Sequence, residues 1–544
     1  MGGLIYQGEV GRIKRSIIHR YAFPPQEHAI GRAAELRDPR TGKSAGELVQ
    51  VDEGSRVIDI RRSATSSVPH PTALIPLEII GTDVQRESLL RLASWVVGHS
   101  ISSPGQYKAA RDLLLRRRPL VLKEAIAVPI GEDGYLTEAA KALVLALSGE
   151  PSVLPIQGPP GSGKTFTGAR MIVELVKQGR RVGICAISHK VITCLLREVC
   201  ATASTNKVRL RAIQKANDEG DGCEHPLVTA ANDNQAVLDA LVTGSAQVAA
   251  GTAWLWARPE MANSVDVLFI DEAGQMSLAN TLAISQAATS MVLLGDPQQL
   301  DQPQRGIHPA GSEVSALGHL LNGRKTIAAD QGLFLTETRR LHPDVCAFTS
   351  ELFYDGRLTS RRENATQRLN AKGLLDGTGL RFAPVEHTGN QTEAPEEVED
   401  IFLIVGELLR SGATWTNKRG ETSALTLKDI LIVAPYNAQV AAIASRLPDG
   451  ARVGTVDKFQ GQEAPLVFYS MATSTPEDAP RGMEFLYSLN RLNVATSRAQ
   501  CVAVIVASPA LFQVQCKTPR QIELANAFCR YLEIASSMTE TVHE

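Results

Sequence analysis

Residues 1–66 are rich in short strand-like runs. Gly46–Asp52 and Arg56–Arg61 are two of them, and Glu53-Gly54-Ser55 between them is a hairpin signal. Pro69–Pro76 reads as a proline-containing loop. The pattern then changes. Val84–Gly98 and Gln106–Arg117 read as helices, with Leu89, Leu90, Leu92 and Trp95 at helical spacing and Pro119 stopping the second. From about residue 126, short unbroken apolar runs alternate with helical ones. Val153–Gln157, Val182–Ile187, Val248–Thr252, Val265–Ile270 and Met291–Leu294 form a first strand series. Leu380–Val385, Asp429–Ala434, Val453–Val456, Leu466–Met471 and Val502–Ala507 form a second. Unbroken apolar runs are what strands buried on both faces require, so two such series imply two doubly wound α/β domains. The polar segments 202–245 and 355–378 read as loops or small insertions. The expected division is an accessory module over 1–125 (β-rich 1–66, helical 84–118), α/β domains over 126–325 and 326–512, and a helical tail over 513–544.

Composition changes this picture little. Hydrophobic content is 44%, charged content 21% and the formal net charge −2. No global basic field marks a nucleic-acid partner, so any such partner must be held in a local groove. Residues 1–125 carry 19 Lys+Arg against 13 Asp+Glu, an excess small enough to be an ordinary solvated surface. None of the eight cysteines forms a C-x-x-C pair, which argues against zinc ribbons and leaves small buried hydrophobes in a reducing cytosol as the better reading. No signal-peptide core is visible, and no apolar run approaches the roughly 20 residues of a membrane span. A cytoplasmic protein with no membrane partner is expected.

Candidate chemistry is concentrated after the first apolar run. Gly158-Pro159-Pro160-Gly161-Ser162-Gly163-Lys164-Thr165 fits G-x-x-x-x-G-K-[ST], follows Val153–Gln157 and precedes the helical run Thr167–Gln178. Glycines at this spacing let backbone N–H groups curl around phosphate oxygens. Lys164 adds positive charge, and the Thr165 hydroxyl suits Mg²⁺. Downstream, the apolar run Val267–Ile270 ends in Asp271-Glu272. An Asp-Glu pair is ordinarily a solvated turn. At the C-terminal end of a buried strand, Asp271 can instead hold Mg²⁺ while Glu272 deprotonates an attacking water.

With these in place, Asp271-Glu-Ala-Gly-Gln-Met-Ser277 resembles the second signature of superfamily 1 helicases. Gly295-Asp-Pro-Gln-Gln-Leu300 resembles the third, and Arg339-Arg-Leu-His-Pro343 the fourth. Thr455-Val-Asp-Lys-Phe-Gln-Gly-Gln-Glu463 resembles the fifth, and Arg491-Leu-Asn-Val-Ala-Thr-Ser-Arg-Ala499 the sixth. They occur in the family's order. The form is that of superfamily 1B, and residues 70–530 look like the helicase half of bacterial proteins that fuse a RecB-like nuclease to such a motor. The resemblance implies two tandem RecA-like P-loop NTPase domains and an ATP-dependent translocase or helicase using ATP and Mg²⁺. DNA is the expected track, single-stranded DNA above all, with RNA left open and 5′ to 3′ polarity by analogy. The β-rich N-terminal module stands where related helicases carry an accessory β-barrel.

The same resemblance assigns roles. Gln299 senses the γ-phosphate; Arg340 and Arg498, from the second domain, act as arginine fingers; Glu463, with Gly461 beside it, contacts the ribose. Nucleic acid is met by Ser188, His189, Lys190, Thr252, Tyr436, Asn437 and Thr455, all at or just beyond strand ends, with Tyr436 packing on a sugar or base. For His189 a capping or structural role stands equally open. Two departures bear on the base. Ala140 stands where the family often has a glutamine that reads adenine, and Arg339 where a stacking tyrosine is usual, so adenine selectivity stays open. No nuclease signature is visible, so a nuclease would come from a separate partner. Two rivals remain: an ATP-gated clamp or remodeller that does not part strands, and a non-hydrolysing scaffold.

Overall fold

The computed structural model describes residues 1–544 apart from 27, 29, 31–34, 78–79, 120–151, 217–219, 303–307, 310, 460 and 538–544. Ala140 and the expected boundary at 125/126 lie outside the described residues. Packing divides the chain into two compact units, one of 82–340 with 349–361, the other of 1–81 with 341–348 and 362–544.

The N-terminal strands are β1 (Ile5–Ile13), β2 (Ser16–Ala22), β3 (Glu35–Arg37), β4 (Ser44–Asp52), β5 (Val57–Ser63) and β6 (Ile75–Leu77). They form an antiparallel sheet in the order β1-β2-β5-β4-β3-β6. Its core is Leu4, Tyr21, Phe23, Leu36, Ile58, Ile60 and Leu74. The expected hairpin joins β4 to β5, where Asp52 Oδ1 accepts from Gly54 N (2.9 Å) and Ser55 N (3.1 Å), the local bonding that makes aspartate a turn former. Buried Asp59 takes both guanidinium arms of Arg20 at 2.8 Å, and this pairing holds its carboxyl below the usual range.

The first parallel sheet comprises β7 (Val153–Gln157), β8 (Val182–Cys185), β9 (Ala212–Lys215), β10 (Val228–Ala231), β11 (Val248–Ala250), β12 (Val265–Ile270), β13 (Ala288–Gly295) and β14 (Leu333–Phe334), in the order β10-β9-β11-β8-β12-β13-β7-β14. Helices Lys164–Lys177 and His189–Thr205 bury Ile172, Leu195 and Val199 against one face. On the other, Trp256 donates its indole N–H to Ile184 O (3.0 Å) and Gly251 O (3.1 Å). A Cβ on Gly183 would come within 2.8 Å of that indole, so the strand beneath needs glycine. Helices Asp83–His99 and Lys108–Leu114 join this second face through Leu92 and Leu113, and Ser88 Oγ donates to Ala283 O (2.6 Å). They therefore pack with the first parallel sheet rather than with β1–β6, unlike the single module expected over 1–125. The segment 202–245 also differs from expectation. It contains β9, β10 and the helix Asn234–Val242, because Ala-Ile-Gln-Lys and Val-Thr-Ala-Ala are strands carrying few large aliphatic side chains.

After β15 (Glu337–Thr338) and its partner β16 (Thr359–Ser360) comes a small antiparallel sheet of β17 (Arg368–Asn370), β19 (Thr414–Thr416) and β20 (Thr422–Ala424). The second parallel sheet holds β18 (Gly379–Pro384), β21 (Ile430–Ala434), β22 (Arg452–Thr455), β23 (Ala464–Ser470), β24 (Ala499–Ala507) and β25 (Ser536–Ser537), in the order β22-β21-β23-β24-β18-β25. Of the helical tail expected over 513–544, the part described, up to 537, packs on this sheet. Helix Pro519–Ile534 buries Leu524, Phe528 and Tyr531, the Tyr531 hydroxyl donates to Ala503 O (2.8 Å) and Arg381 O (3.0 Å), and β25 pairs with β18. Beside it, Glu397, on helix Pro395–Arg410, is fully buried and accepts from Ser470 Oγ (2.6 Å) and Ala472 N (3.0 Å), with His387 Nε2 at 3.0 Å. Among the described residues no helix is long and apolar enough to cross a membrane.

Truncation after residue 512 uncovers that apolar face. It is expected to destabilise the unit of the second parallel sheet by at least about 5 kcal/mol, from three large side chains at roughly 1.5–3 kcal/mol each. Urea unfolding of the truncated chain checks this; an unchanged midpoint would show the helix to be dispensable.

Candidate nucleotide site

The five residues of β7 are all buried, and the chain leaves the sheet at Gly158, whose N–H donates to Gly295 O (2.9 Å). Gly161 (φ +72°) and Gly163 (φ +87°) then take left-handed backbone that side chains resist, and Gly163 caps helix Lys164–Lys177. A Cβ on Gly158 would lie 2.1 Å from Lys164 Cγ, and one on Gly161 2.6 Å from Thr338 Oγ1. The loop is also held from outside. Thr338 Oγ1 donates to Pro160 O (2.8 Å), and Arg339 N to Gly161 O (2.9 Å). Its carbonyls are thus drawn into protein hydrogen bonds at the N-terminus of a fourteen-residue helix, a setting that favours an anion. Lys164 Nζ donates to Gly158 O (2.8 Å), and the buried Ser162 hydroxyl has no partner among the described residues. Both suit a phosphate ligand.

Asp271 and Glu272 follow β12. Asp271 N donates to Cys185 O (2.8 Å), and Glu272 N to Asp271 Oδ1 (2.9 Å). Glu272 sits at φ +53°, strained for a non-glycine residue. Burial first, and the Glu272 carboxylate second, push the Asp271 carboxyl up to about 7, with Lys164 opposing. A divalent cation would relieve that penalty. Asp271, with the half-buried Thr165, has the oxygen chemistry that Mg²⁺ prefers.

The second and third motifs touch backbone to backbone: a Cβ on Gly274 would lie 2.7 Å from Asp296 O. Asp296 is 2% exposed. Its Oδ2 accepts from Gln299 Nε2 (2.7 Å) and from the Tyr354 hydroxyl (2.7 Å); its Oδ1 accepts from Gln298 N (3.2 Å) and Gln157 Nε2 (3.4 Å). The sequence reading assigned no role to Asp296, Gln157, Thr338 or Tyr354. A glutamine closing an otherwise apolar strand was the available signal for Gln157; Tyr354 offered none.

The remaining candidates divide between the units. Arg339 and Arg340 are counted with the phosphate loop rather than with the second parallel sheet, because the chain from β15 runs against that loop. Arg339 lies over the Phe166 ring at 5.6 Å, and Arg340 is buried. Arg498 belongs to the other unit, is 2% exposed and follows helix Leu489–Thr496. Gly461 is exposed, and so is Glu463, which accepts from Gln500 Nε2 (2.8 Å).

In the first unit Ser188, His189, Lys190 and Thr252 follow the C-terminal ends of β8 and β11. In the second, Tyr436 and Asn437 follow β21, and Thr455 closes β22. Ser188 Oγ caps helix His189–Thr205 by accepting from Val191 N (3.4 Å), His189 is half-buried, and Lys190 and Asn437 are exposed. Tyr436 departs from expectation: it is fully buried, its ring centroid 5.5 Å from that of Phe485, so it presents no face to a base.

Residues 136–311 match one AAA-domain family model and residues 315–510 another. The chain is 26% identical over 434 residues to the protein named "Putative helicase mov-10-B.1" of Danio rerio, covering 68% of this chain and 41% of that one. It is 25% identical to "Probable RNA helicase armi" of Drosophila melanogaster (69% and 36%) and 23% identical to "DNA polymerase alpha-associated DNA helicase A" of Schizosaccharomyces pombe (63% and 59%). The chain therefore spans less than two thirds of the length of these curated relatives. Motif order, twin parallel sheets and matches on both halves lead to one conclusion: the chain folds as two tandem RecA-like domains and is similar to superfamily 1 helicases.

Proposed function

We propose that the chain is an ATP-dependent nucleic-acid translocase of the 5′ to 3′ superfamily 1B kind, a helicase on single-stranded DNA. The observation that carries the reading is the phosphate loop, pinned through its carbonyls, with buried Asp271 and half-buried Glu272 at the end of β12. Gly158 to Thr165 hold the phosphates, with Lys164 as counter-charge. Glu272 takes the proton of the attacking water, Gln299 senses the γ-phosphate, and Arg340 and Arg498 offset charge on the transferring group. Thr165 and Asp271 would hold Mg²⁺, which supplies charge neutralisation of the phosphate oxygens. Arg339, over Phe166, faces the base, and Gly461 and Glu463 the ribose.

Ser188, His189, Lys190, Thr252, Asn437 and Thr455 line the strand's path, and the β1–β6 module adds grip. Cytoplasmic DNA repair, with a separate partner supplying the nuclease that the RecB-like fusions carry in the same chain, is the setting this proposal favours. Relatives named for RNA and for DNA both support a nucleic-acid track. Phosphate release compared with single-stranded DNA and with RNA selects between them, and duplexes with a 5′ or a 3′ tail test polarity.

Lys164→Ala is expected to lower ATP turnover by on the order of 100-fold or more, with the unfolding midpoint kept. Near wild-type phosphate release would remove the site assignment.

Asp271 gives a pH prediction. Its folded carboxyl titrates above the unfolded value of 3.8. Its contribution to stability is therefore complete below about pH 4 and lost as pH rises through about 7. Without nucleotide, Asp271→Asn should be the more stable protein above pH 7, by on the order of 2 kcal/mol, and the gap should close toward pH 4. Mg²⁺ with ATP should stabilise the wild type and not the variant. A gap independent of pH in thermal unfolding would contradict this.

A further inference from the structure

Tyr354 is a fully buried residue directly after helix Pro343–Phe353, and its hydroxyl donates to Asp296 Oδ2 at 2.7 Å. The same oxygen accepts Gln299 Nε2 at 2.7 Å. The stretch around Tyr354 is fastened to the stretch after the third motif: Lys325 Nζ donates to Leu352 O (2.9 Å), Thr326 Oγ1 to Asp355 Oδ2 (2.8 Å) and Arg357 to Ile327 O (2.8 Å). Gln157, the residue before the phosphate loop, donates to Lys325 O (3.0 Å) and accepts from Ile327 N (2.8 Å). One buried carboxylate thus joins the root of the phosphate loop, the third motif and the segment after the helix. A hydrogen bond to a carboxylate is stronger than a neutral one, and here the two short ones fall on the oxygen that holds Gln299, with longer ones on Oδ1. With Nε2 committed to Asp296, the Gln299 amide is held in one orientation.

We propose that Tyr354 is a positioning residue for nucleotide hydrolysis, acting through Asp296 to hold the Gln299 amide in its working orientation. The proposal rests on the hydrolase reading above. Phenylalanine would fill the same apolar space beside Phe334, whose ring centroid is 6.1 Å away, so packing alone does not call for the hydroxyl. Without it, the carboxylate keeps Gln299 and the longer Oδ1 bonds from Gln298 N (3.2 Å) and Gln157 Nε2 (3.4 Å), but loses one of the two short bonds on the oxygen that holds Gln299.

The test is a double-mutant cycle in the full chain, with phosphate release measured across ATP concentrations in the presence of single-stranded DNA or RNA. Tyr354→Phe is expected to lower kcat roughly tenfold while KM stays within about twofold, because the lost bond orients chemistry rather than binding. In a Gln299→Ala background the same substitution should cost less than about twofold, since its target is gone. Thermal unfolding is followed for all four proteins. An unchanged or raised kcat, an equal loss in both backgrounds, or a loss that tracks a lowered unfolding midpoint would overturn the proposal. Absence of turnover in the wild type would remove the hydrolase reading and this proposal together. A wild type that turns over normally beside an unaffected Tyr354→Phe removes the proposal alone.

Discussion

A phosphate loop works only if its N–H groups face outward, and that requires its carbonyls to be occupied by something else. Here Pro160 O and Gly161 O are taken by Thr338 and Arg339, while Gly158 N is tied to the end of β13. The glycines follow from this. A side chain at 161 would collide with Thr338, which does the fastening, and one at 158 with Lys164 of the loop itself. Asp271 at the end of β12 is near enough for Lys164 of the loop to oppose the rise that burial and Glu272 impose on its carboxyl.

Each unit places a buried carboxylate where loops meet a parallel sheet. In the first, Asp296 gathers Gln157, Gln298, Gln299 and Tyr354. In the second, Glu397 gathers Ser470, Ala472 and His387, and Gln439 joins through Ser470 (2.8 Å). A buried carboxylate is tolerated when its oxygens are filled with donors, and a filled one fixes the segments that supply them. Both clusters recruit donors from stretches far apart in the chain, so loops that bear motifs are positioned from below.

Strands made of large aliphatic residues could be read from the sequence; those made of small or polar ones could not. Val153–Gln157 and Val265–Ile270 have the bounds expected of them, because each is an unbroken apolar run with a motif at its end. β9 and β10 carry Ala, Gln, Thr and Lys, and they exist because neighbouring strands offer backbone partners, information that is not local. The phosphate loop and the Asp-Glu pair were legible because their spacing is set by backbone chemistry. The burial of Tyr436 was not, since its partner Phe485 lies almost fifty residues away. Nor was the membership of helix Pro519–Ile534 in the second unit, which depends on carbonyls of β18 and β24.

The discontinuity of the second unit bears on how the chain comes off the ribosome. Arg56 is paired with Glu393 at 2.8 Å, and β18 lies between β24 and β25, which are made more than a hundred residues later. Most of the first unit is one uninterrupted stretch, 82–340, and can condense during synthesis. The strands β1–β6 pair with one another around their own core, whereas the Arg56–Glu393 pair joins residues more than three hundred positions apart. Contacts of such long range are slow to form. In the folded chain β1 remains an edge strand with Ile5, Tyr6, Val10 and Ile13 exposed, so its edge stays open to pairing with another strand.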